Sequence, residues 1–224
     1  MILTIETSGQ VCSIAVHSEG ILIAGQVYNL QKSHSALLPG IVNEVLSNAG
    51  LEKSALQAVA ISAGPGSYTG LRIGVSTAKG LCYGLGIPLI AIDTLDLLAA
   101  NVINQLGDMD LAIPCLDARR MEVYAKVIGK NGHVLMETTP VILNEDSFDN
   151  FGESHLTFLG SGAHKCDVIE RSNYLILKDK FPSALEAGTL VHKRFLNKDF
   201  EDVAYFEPNY LKAFQTKPAK NLLA

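Results

Sequence analysis

The most restrictive feature of the sequence is the run SAGPGSYTGLRIG at residues 62–74. An apolar segment with a β-branched pair, 58–61, precedes it and is typical of a buried strand. The Gly-Pro-Gly triplet at 64–66 must end that strand, because proline donates no backbone hydrogen bond and glycine accepts positive φ. Ser67 or Thr69 can then cap a helix by accepting from a free N–H of its first turn. The run therefore predicts a strand, a glycine turn and a helix N-terminus in succession.

The helix that follows this turn has two different faces. Leu71, Val75 and Cys82 recur at helical spacing and form an apolar stripe, whereas Gly70 and Gly74 belong to a face of small residues. Each glycine inside a helix costs roughly 1 kcal/mol relative to alanine, so another helix or backbone must approach closely there. The free N–H groups of the turn suit an anion, but no Gly-Lys-Ser/Thr follows at the spacing of a Walker A loop. A packing turn and a ligand site both stay open.

The rest of the chain predicts two lobes of the same architecture. Three strands joined by short turns within 2–28 form an antiparallel meander, and strands then alternate with helices. A strand ending in an acidic residue, an alternating strand and a hairpin repeat this order within 111–138. The repeat is one of architecture, not of sequence. We expect an α/β protein with lobes 1–106 and 107–224 facing each other across a cleft, and a last helix at 182–196 that can pack back on the first lobe.

Composition narrows the classes of function. The chain carries a net charge of −5 and no basic run, which disfavours strong RNA binding by this chain alone. Its four cysteines are far apart and match neither a CxxC metal site nor a disulfide framework, so we expect reduced thiols. Met1 leads directly into a strand, without a basic or long apolar leader, and no apolar run reaches the length of a membrane span. We therefore expect a cytoplasmic protein without a membrane partner.

Two polar residues are candidates for a metal or ligand role. Glu6 ends the first strand, at the sheet edge where ligands gather in α/β folds, and a carboxylate there can hold a metal through water or cap a turn. His34 begins a helix, but Leu38 occupies the position one helical turn later, where a metal-binding pair needs its second histidine. We expect no metal site.

Several motifs, in the right order along nearly the whole chain, resemble the bacterial TsaB (YeaZ) family. They are the opening ILTIETS, the SHS and LP segments at 33–39, the glycine run, DARRMEVY at 117–124, GSG at 160–162 and EPNYL at 207–211. The resemblance implies the actin-like ATPase fold, made of two duplicated ribonuclease-H-like lobes, each with a mixed sheet flanked by helices.

The resemblance also implies a function. A member of this family would be a non-catalytic dimerisation or scaffold subunit of the tRNA N6-adenosine threonylcarbamoyltransferase complex. It would support TsaD, the catalytic subunit, in forming threonylcarbamoyladenosine beside the anticodon of tRNAs that read ANN codons. The implied partners are TsaD, the ATPase TsaE, a second copy of the chain when TsaD is absent, and tRNA through the complex. No cofactor of its own is implied, since TsaD and TsaE carry the ATP and ADP.

Site residues follow from the same resemblance. In this family two helices of the first lobe, here about 35–49 and 69–85, form a bundle with the partner, and glycines would let the helices approach closely. The residues assigned to this interface are Leu38, Ile41, Val42, Val45, Gly70, Leu71, Gly74, Thr77, Ala78 and Leu81. The candidates for nucleotide contact are Glu6, Gly64, Gly66 and Ser67. No catalytic residue is assigned, because the histidine pair of TsaD is missing and Glu6 stands where actin-like ATPases generally have aspartate.

Two alternatives stay open. One is an independent actin-like-fold ATPase or kinase that uses Glu6, Asp117 and the glycine turns around phosphate. The other is an autonomous metallopeptidase, against which the missing histidine pair already argues.

Overall fold

The computed structural model describes residues 1–29, 34–170 and 172–212. The first lobe is a five-stranded mixed sheet with the strand order β3-β2-β1-β4-β5. Its strands are β1 (Ile2–Glu6), β2 (Val11–Ser18), β3 (Ile21–Asn29), β4 (Ala58–Gly64) and β5 (Leu89–Asp93). Its helices are α1 (His34–Asn48), α2 (Tyr68–Leu85) and α3 (Thr94–Ala99).

The second lobe repeats this topology. Its strands are β6 (Asp110–Asp117), β7 (Glu122–Ile128), β8 (Val134–Ile142), β9 (His155–Leu159) and β10 (Tyr174–Leu177), and α4 (Gly188–Leu196) follows them. The strand order β10-β9-β6-β7-β8 places the first strand at the centre, an antiparallel hairpin on one side and parallel strands on the other, as in the first lobe. The predicted duplication of ribonuclease-H-like lobes, and with it the actin-like fold class, is confirmed. The boundary between 106 and 107 stays a prediction.

Three predicted helices differ from those observed. The apolar spacing from Leu95 to Leu106 predicts a helix capped by Thr94. The observed helix ends at Ala99, and its cap is the Asp93 carboxylate, which accepts from the Leu95 N–H at 2.7 Å. The sequence also predicts a short helix over 145–151. The structure has a single 3₁₀ turn there, Asp149–Phe151. The last long helix is split into a 3₁₀ turn, Ala184–Ala187, and α4.

The first lobe buries its sheet on both faces. Helices α1 and α2 cover one face, and Val45 and Val75 meet Ile5 and Ile14 in its core. On the opposite face, Val191 of α4 packs into a cluster of buried residues from β1, β4 and β5. The last helix therefore packs on the first lobe. Within the described part of the chain, no helix is long and apolar enough to cross a bilayer.

Two further contacts fasten the C-terminal segment to the first lobe. The Ala184 N–H donates to Ser13 Oγ at 2.9 Å. The buried His17 ring lies 3.3 Å from the Leu185 carbonyl oxygen, and burial lowers the pKa of this histidine. These bonds hold residues 184–185 against β2 and so fix where α4 begins.

Candidate functional site

The glycine run folds as predicted, into strand, turn and helix. Strand β4 ends at Gly64, whose φ of +114° is a conformation that favours glycine. Ser67 is the N-cap of α2, and its hydroxyl accepts from the Gly70 N–H at 3.3 Å. The Ser67 N–H in turn donates to the Ser8 carbonyl oxygen at 2.6 Å. The turn after β1 and the glycine turn are thus bonded into one unit.

The two glycines at the start of α2 allow close packing on the helix's own sheet. A Cβ at Gly70 would overlap the Thr7 carbonyl oxygen, and a Cβ at Gly74 would overlap Thr7 Oγ1 and lie 2.8 Å from Ile61 Cδ1. The Thr7 hydroxyl uses this proximity to donate to the Gly70 carbonyl oxygen at 2.9 Å. The close approach expected at these glycines therefore occurs within the lobe, against backbone and sheet.

Most of the side chains predicted to form a partner surface on α1 and α2 are buried within this chain. Six of the assigned side chains are no more than 6% exposed and belong to the protein's own core: Leu38, Ile41, Val42, Val45, Leu71 and Ala78. Thr77, whose hydroxyl donates to the Ile73 carbonyl, and Leu81 are only half-buried. Helical spacing shows which residues share a face, but it does not distinguish a core-facing stripe from a partner-facing one.

The outer faces of the same helices are open. Tyr83 of α2 is 87% exposed, and Cβ atoms built at Gly80 and Gly84 would meet nothing within 4 Å. Leu37 of α1, which packs beside α2, is 45% exposed. The surface that α1 and α2 offer to solvent, called here the outer α2 face, therefore carries exposed apolar groups and two glycines.

Glu6 caps the turn after β1 and is fully buried. Its Oε1 accepts from the Ser8 N–H at 2.6 Å and the Ser8 hydroxyl at 2.5 Å, whereas Oε2 has no hydrogen-bond partner among the described residues. Burial raises the pKa of this carboxyl, although the bonds from Ser8 and Ser62 oppose the rise. Glu6 is not among the residues that line the cleft between the lobes.

A cleft of about 1300 Å³ lies between the two lobes. The first lobe lines it with residues 9–11 and the start of α2, and the second lobe with Leu116, Asp117, Ser161 and the segment 178–182. Of the four candidate nucleotide contacts, only Ser67 lines this cleft. Gly64 is buried, and a Cβ on it would lie 2.6 Å from the Asn209 carbonyl oxygen.

Asp117, the acidic residue at the end of β6, is engaged by its neighbours. Its Oδ1 accepts from Lys165 Nζ and from the Arg119 N–H, each at 2.6 Å. Burial alone would raise the pKa of Asp117, but the bond and charge of Lys165 hold it below its ordinary value. Among the described residues, no group of three or more histidine, cysteine or acidic side chains is placed to hold a metal ion.

Sequence reasoning missed the ionic contact between the lobes. Lys126 of β7 is 5% exposed and its ammonium lies 2.6 Å from Asp96 of α3. Burial lowers the pKa of this lysine, but the hydrogen bond and charge of Asp96 outweigh it and raise the pKa. The adjacent Asp93 accepts from the Thr138 hydroxyl at 2.7 Å. A lysine inside an otherwise buried strand was the one signal in the sequence for this contact.

The segment 201–212 was also not predicted to cross both lobes. Lys79 of α2 donates to the carbonyl oxygens of Ala204 and Phe206, at 3.1 and 3.0 Å. The Asn209 N–H then donates to the Ala63 carbonyl oxygen at 2.6 Å, beside the glycine turn. Further along, Lys212 forms an ion pair with Glu122 of the second lobe.

The family model and the curated relatives that match this chain point to the same family. Residues 28–217 match the family model described as "TsaD: tRNA N6-adenosine threonylcarbamoyltransferase". A protein of Escherichia coli (strain K12) named "tRNA threonylcarbamoyladenosine biosynthesis protein TsaB" is 28% identical over 232 residues, which cover 98% of this chain and 99% of that protein. The protein of the same name from Bacillus subtilis (strain 168) is 37% identical over 139 residues, or 62% of this chain and 59% of its own length.

Solved structures agree with this fold. The structure described as "YeaZ from Pseudomonas aeruginosa" is 24% identical, covers 94% of this chain and 99% of its own, and superimposes with a TM-score of 0.79. A second structure from that organism, of an uncharacterized protein "with similarity to peptidase YEAZ", reaches 0.81 at the same identity and coverage. At this identity the likeness supports the fold and nothing finer.

Proposed function

Since this chain belongs to the family of the TsaD model, and within it to the TsaB (YeaZ) proteins, we propose that it is a scaffold subunit in tRNA threonylcarbamoyladenosine biosynthesis. In this proposal the chain binds TsaD and supports its turnover without doing chemistry itself. TsaE and tRNA join through the complex, a second copy of the chain replaces TsaD when TsaD is absent, and ATP and ADP are carried by TsaD and TsaE.

The observation that carries the proposal is the outer α2 face. Gly80 and Gly84 lie one turn apart in an exposed helix, and each costs roughly 1 kcal/mol relative to alanine. No neighbour within this chain uses the space beside them, in contrast to Gly70 and Gly74. A partner helix lying against this face would use that space and would cover Tyr83, an aromatic side chain of the kind that anchors protein interfaces.

The two acidic strand ends support a non-catalytic role. Glu6 is bonded to Ser8 and buried away from the cleft, so its carboxylate is not presented to a nucleotide or its metal. Asp117 is paired with Lys165, which neutralises its charge. Both groups that an actin-like ATPase would direct at phosphate and metal are therefore engaged within the chain.

Size-exclusion chromatography of this chain mixed with TsaD tests the proposal. We expect the wild-type chain to co-elute with TsaD and Tyr83→Asp to weaken the association roughly tenfold or more, as for a well-packed interface tyrosine. Ile142→Asp is the matched control, because Ile142 is a large apolar side chain that is 75% exposed on the second lobe. Circular dichroism of each variant verifies folding.

Two outcomes would contradict the proposal in different ways. If the wild-type chain never associated with TsaD, the scaffold function would be wrong. If the wild-type chain, Tyr83→Asp and Ile142→Asp all bound alike, the function would stand but the outer α2 face would not be the contact.

An ATPase or kinase is the second candidate function, and the cleft is the observation that favours it. The N-terminus of α2 and Ser161 of the second glycine turn both line this cleft, and helix N-termini suit phosphate. Calorimetric titration of the isolated chain with ATP and Mg²⁺, together with a phosphate-release assay, separates the candidates. Stoichiometric binding with magnesium-dependent release would favour the ATPase, whereas neither is expected of the scaffold.

A further inference from the structure

The segment 201–212, which runs from the first lobe to the second, is held in two different ways along its length. Its first residue donates a backbone hydrogen bond to β5 at 2.9 Å. Val203 and Phe206 then pack against the hydrophobic core of the first lobe, and Lys79 donates to two carbonyl oxygens of the same part. Residues 201–206 are therefore fastened by apolar packing as well as by hydrogen bonds.

The second part, residues 207–212 and called here the C-terminal latch, lacks this packing. Among the described residues, the hydrophobic cores of both lobes contain no side chain from the latch. Three contacts attach it, each from a different residue: the Asn209 N–H with the Ala63 carbonyl oxygen at 2.6 Å, the Tyr210 ring with the Tyr68 ring, and the Lys212 ammonium with the Glu122 carboxylate.

The latch connects the two turns that flank the cleft between the lobes. On the first lobe it is bonded to Ala63, four residues before Ser67, which lines the cleft. On the second lobe it is paired with Glu122, whose carbonyl oxygen accepts from the Ala118 N–H at 3.1 Å, directly after the cleft residue Asp117. A widening of the cleft at these turns would therefore have to break one end of the latch.

A separate set of contacts joins the lobes without the latch. The largely buried ion pair of Lys126 with Asp96 connects β7 to α3 at 2.6 Å. The Thr138 hydroxyl of β8 donates to Asp93, at the start of α3, at 2.7 Å. These contacts remain when the latch lifts, so they can act as a pivot between the lobes.

The latch carries an uncompensated polar group in its docked position. The Tyr210 hydroxyl is buried without a hydrogen-bond partner among the described residues. Such a hydroxyl has lost its hydration without a replacement, which destabilises the docked position relative to an open one. The ion pair of Lys212 with Glu122 is partly exposed, and exposed ion pairs contribute little to stability. The latch is therefore attached more weakly than residues 201–206.

We propose that the C-terminal latch opens while residues 201–206 stay in place, and that its opening lets the cleft widen. When closed, the latch holds the two flanking turns together. When open, it leaves the lobes joined by the contacts of Asp96 and Asp93, about which they turn. This conformational device depends on the fold of the chain alone and not on its proposed association with TsaD.

Amide hydrogen exchange of the full chain, measured by NMR, tests whether the latch opens by itself. The informative amides are those of Asn209 and Phe206, because both donate to backbone carbonyl oxygens, at 2.6 and 2.8 Å. We expect the protection factor of Asn209 to be roughly tenfold or more below that of Phe206, since local opening exposes the latch first.

The Tyr210 hydroxyl supplies a second test of the latch. Tyr210→Phe removes the unpartnered hydroxyl and keeps the ring, so it should raise the protection factor of Asn209 about threefold. Tyr205→Phe is the matched control, because Tyr205 is 84% exposed and its hydroxyl is not buried. This control should leave the protection of Asn209 unchanged.

Distances between spin labels on the two lobes test the widening of the cleft. The labels are attached through Ser76→Cys and Asn150→Cys at exposed sites, since the four native cysteines are buried. Lys212→Glu places two carboxylates together at Glu122, so it should release the latch and add a population with an altered inter-lobe distance. Lys130→Glu makes the same change in another exposed ion pair and should leave the distance distribution unchanged.

Each result either supports the latch or contradicts it. Weaker protection of Asn209 than of Phe206, slower exchange in Tyr210→Phe alone, and an altered distance in Lys212→Glu alone would support it. Equal protection of the two amides would show that the latch does not open by itself, and equal exchange in Tyr210→Phe and Tyr205→Phe would remove the assigned weakness. An unchanged distance in Lys212→Glu would show that the latch does not hold the cleft.

Discussion

The two lobes share a strand order but differ in what joins the strands. In the first lobe the connections are α1, with 15 residues, and α2, with 18. In the second lobe the corresponding connections hold 3₁₀ turns of three and six residues, Asp149–Phe151 and Ala163–Val168. The two lobes therefore share the sheet but not the helices. Among the described residues, helices of 15 residues or more occur only in the first lobe. This asymmetry is why the exposed helical surface, and the proposed partner contact, lie on one lobe.

The acidic residues that end the first strand of each lobe show a second difference. Glu6 is fully buried, and burial raises the pKa of its carboxyl. Asp117 is exposed, and Lys165 lowers the pKa of its carboxyl against the opposing effect of burial. The two residues hold equivalent positions in the two lobes but have opposite electrostatic environments. Glu6 is a buried cap of the turn after β1, whereas Asp117 forms an ion pair with Lys165.

The largest expected effect concerns the ionic contact that joins the lobes. Lys126→Met should lower the free energy of unfolding by about 3 kcal/mol, because it leaves the Asp96 carboxylate without its cation in a largely buried site. Lys130→Met, which breaks the exposed pair with Asp108, is the matched control and should change stability little. Urea unfolding followed by circular dichroism measures both. Equal losses in the two variants would mean that the inter-lobe pair contributes no more than a surface pair.

The second largest effect on stability is expected from the difference between the packed and the open face of α2. Gly74→Leu should lower the free energy of unfolding by about 2–3 kcal/mol, since the new side chain must displace Thr7 or Ile61. Gly80→Leu adds the same side chain to the same helix in open space, and should leave stability unchanged or raise it by up to about 1 kcal/mol. Thermal unfolding of the isolated chain measures both. A stable Gly74→Leu variant would contradict the close packing of α2 on its sheet.

Replacing Glu6 or Asp117 should have the smallest effect on stability. The change of that effect with pH should have opposite signs at the two positions. A raised pKa means that the stabilising contribution of Glu6 is present at low pH and is lost as pH rises through its folded-state pKa. The stability of Glu6→Gln relative to wild type should therefore increase from about pH 4 to about pH 7. The depressed pKa of Asp117 has the opposite consequence, so Asp117→Asn should cost most above about pH 4 and least below it. Denaturant titrations across this range detect the two trends, and trends of the same sign would contradict the assigned environments.

The sequence predicted features that depend on neighbours along the chain. The end of β4 at the glycine turn and the Ser67 cap follow from local backbone chemistry, and the repeated meander follows from strand alternation. The helix after Asp93 was expected to be longer, because its apolar spacing continues past Ala99 into residues that pack without helical geometry.

What the sequence did not predict depends on contacts between distant residues. The stripe on α1 that includes Leu38 and Val45 was assigned to a partner from the family resemblance, and it is buried in this chain's own core. Periodicity alone could not have corrected this, because it cannot tell the lobe's own sheet from another protein. The ion pair of Lys126 with Asp96 and the tilted ring contact of Tyr68 with Tyr210 join residues that only the tertiary fold brings together. Tertiary contact therefore decides the candidate surfaces, whereas local pattern decides the sheets.

Reconstituted tRNA modification shows whether this chain supports TsaD without doing chemistry itself. The reaction combines TsaD, TsaE, ATP, the substrates and an ANN-decoding tRNA, with and without this chain, and measures threonylcarbamoyladenosine by mass spectrometry of the digested tRNA. We expect sustained product only when the chain is present with TsaD and TsaE, and none from the chain alone. Modification by the chain alone, or the same yield in its absence, would contradict it.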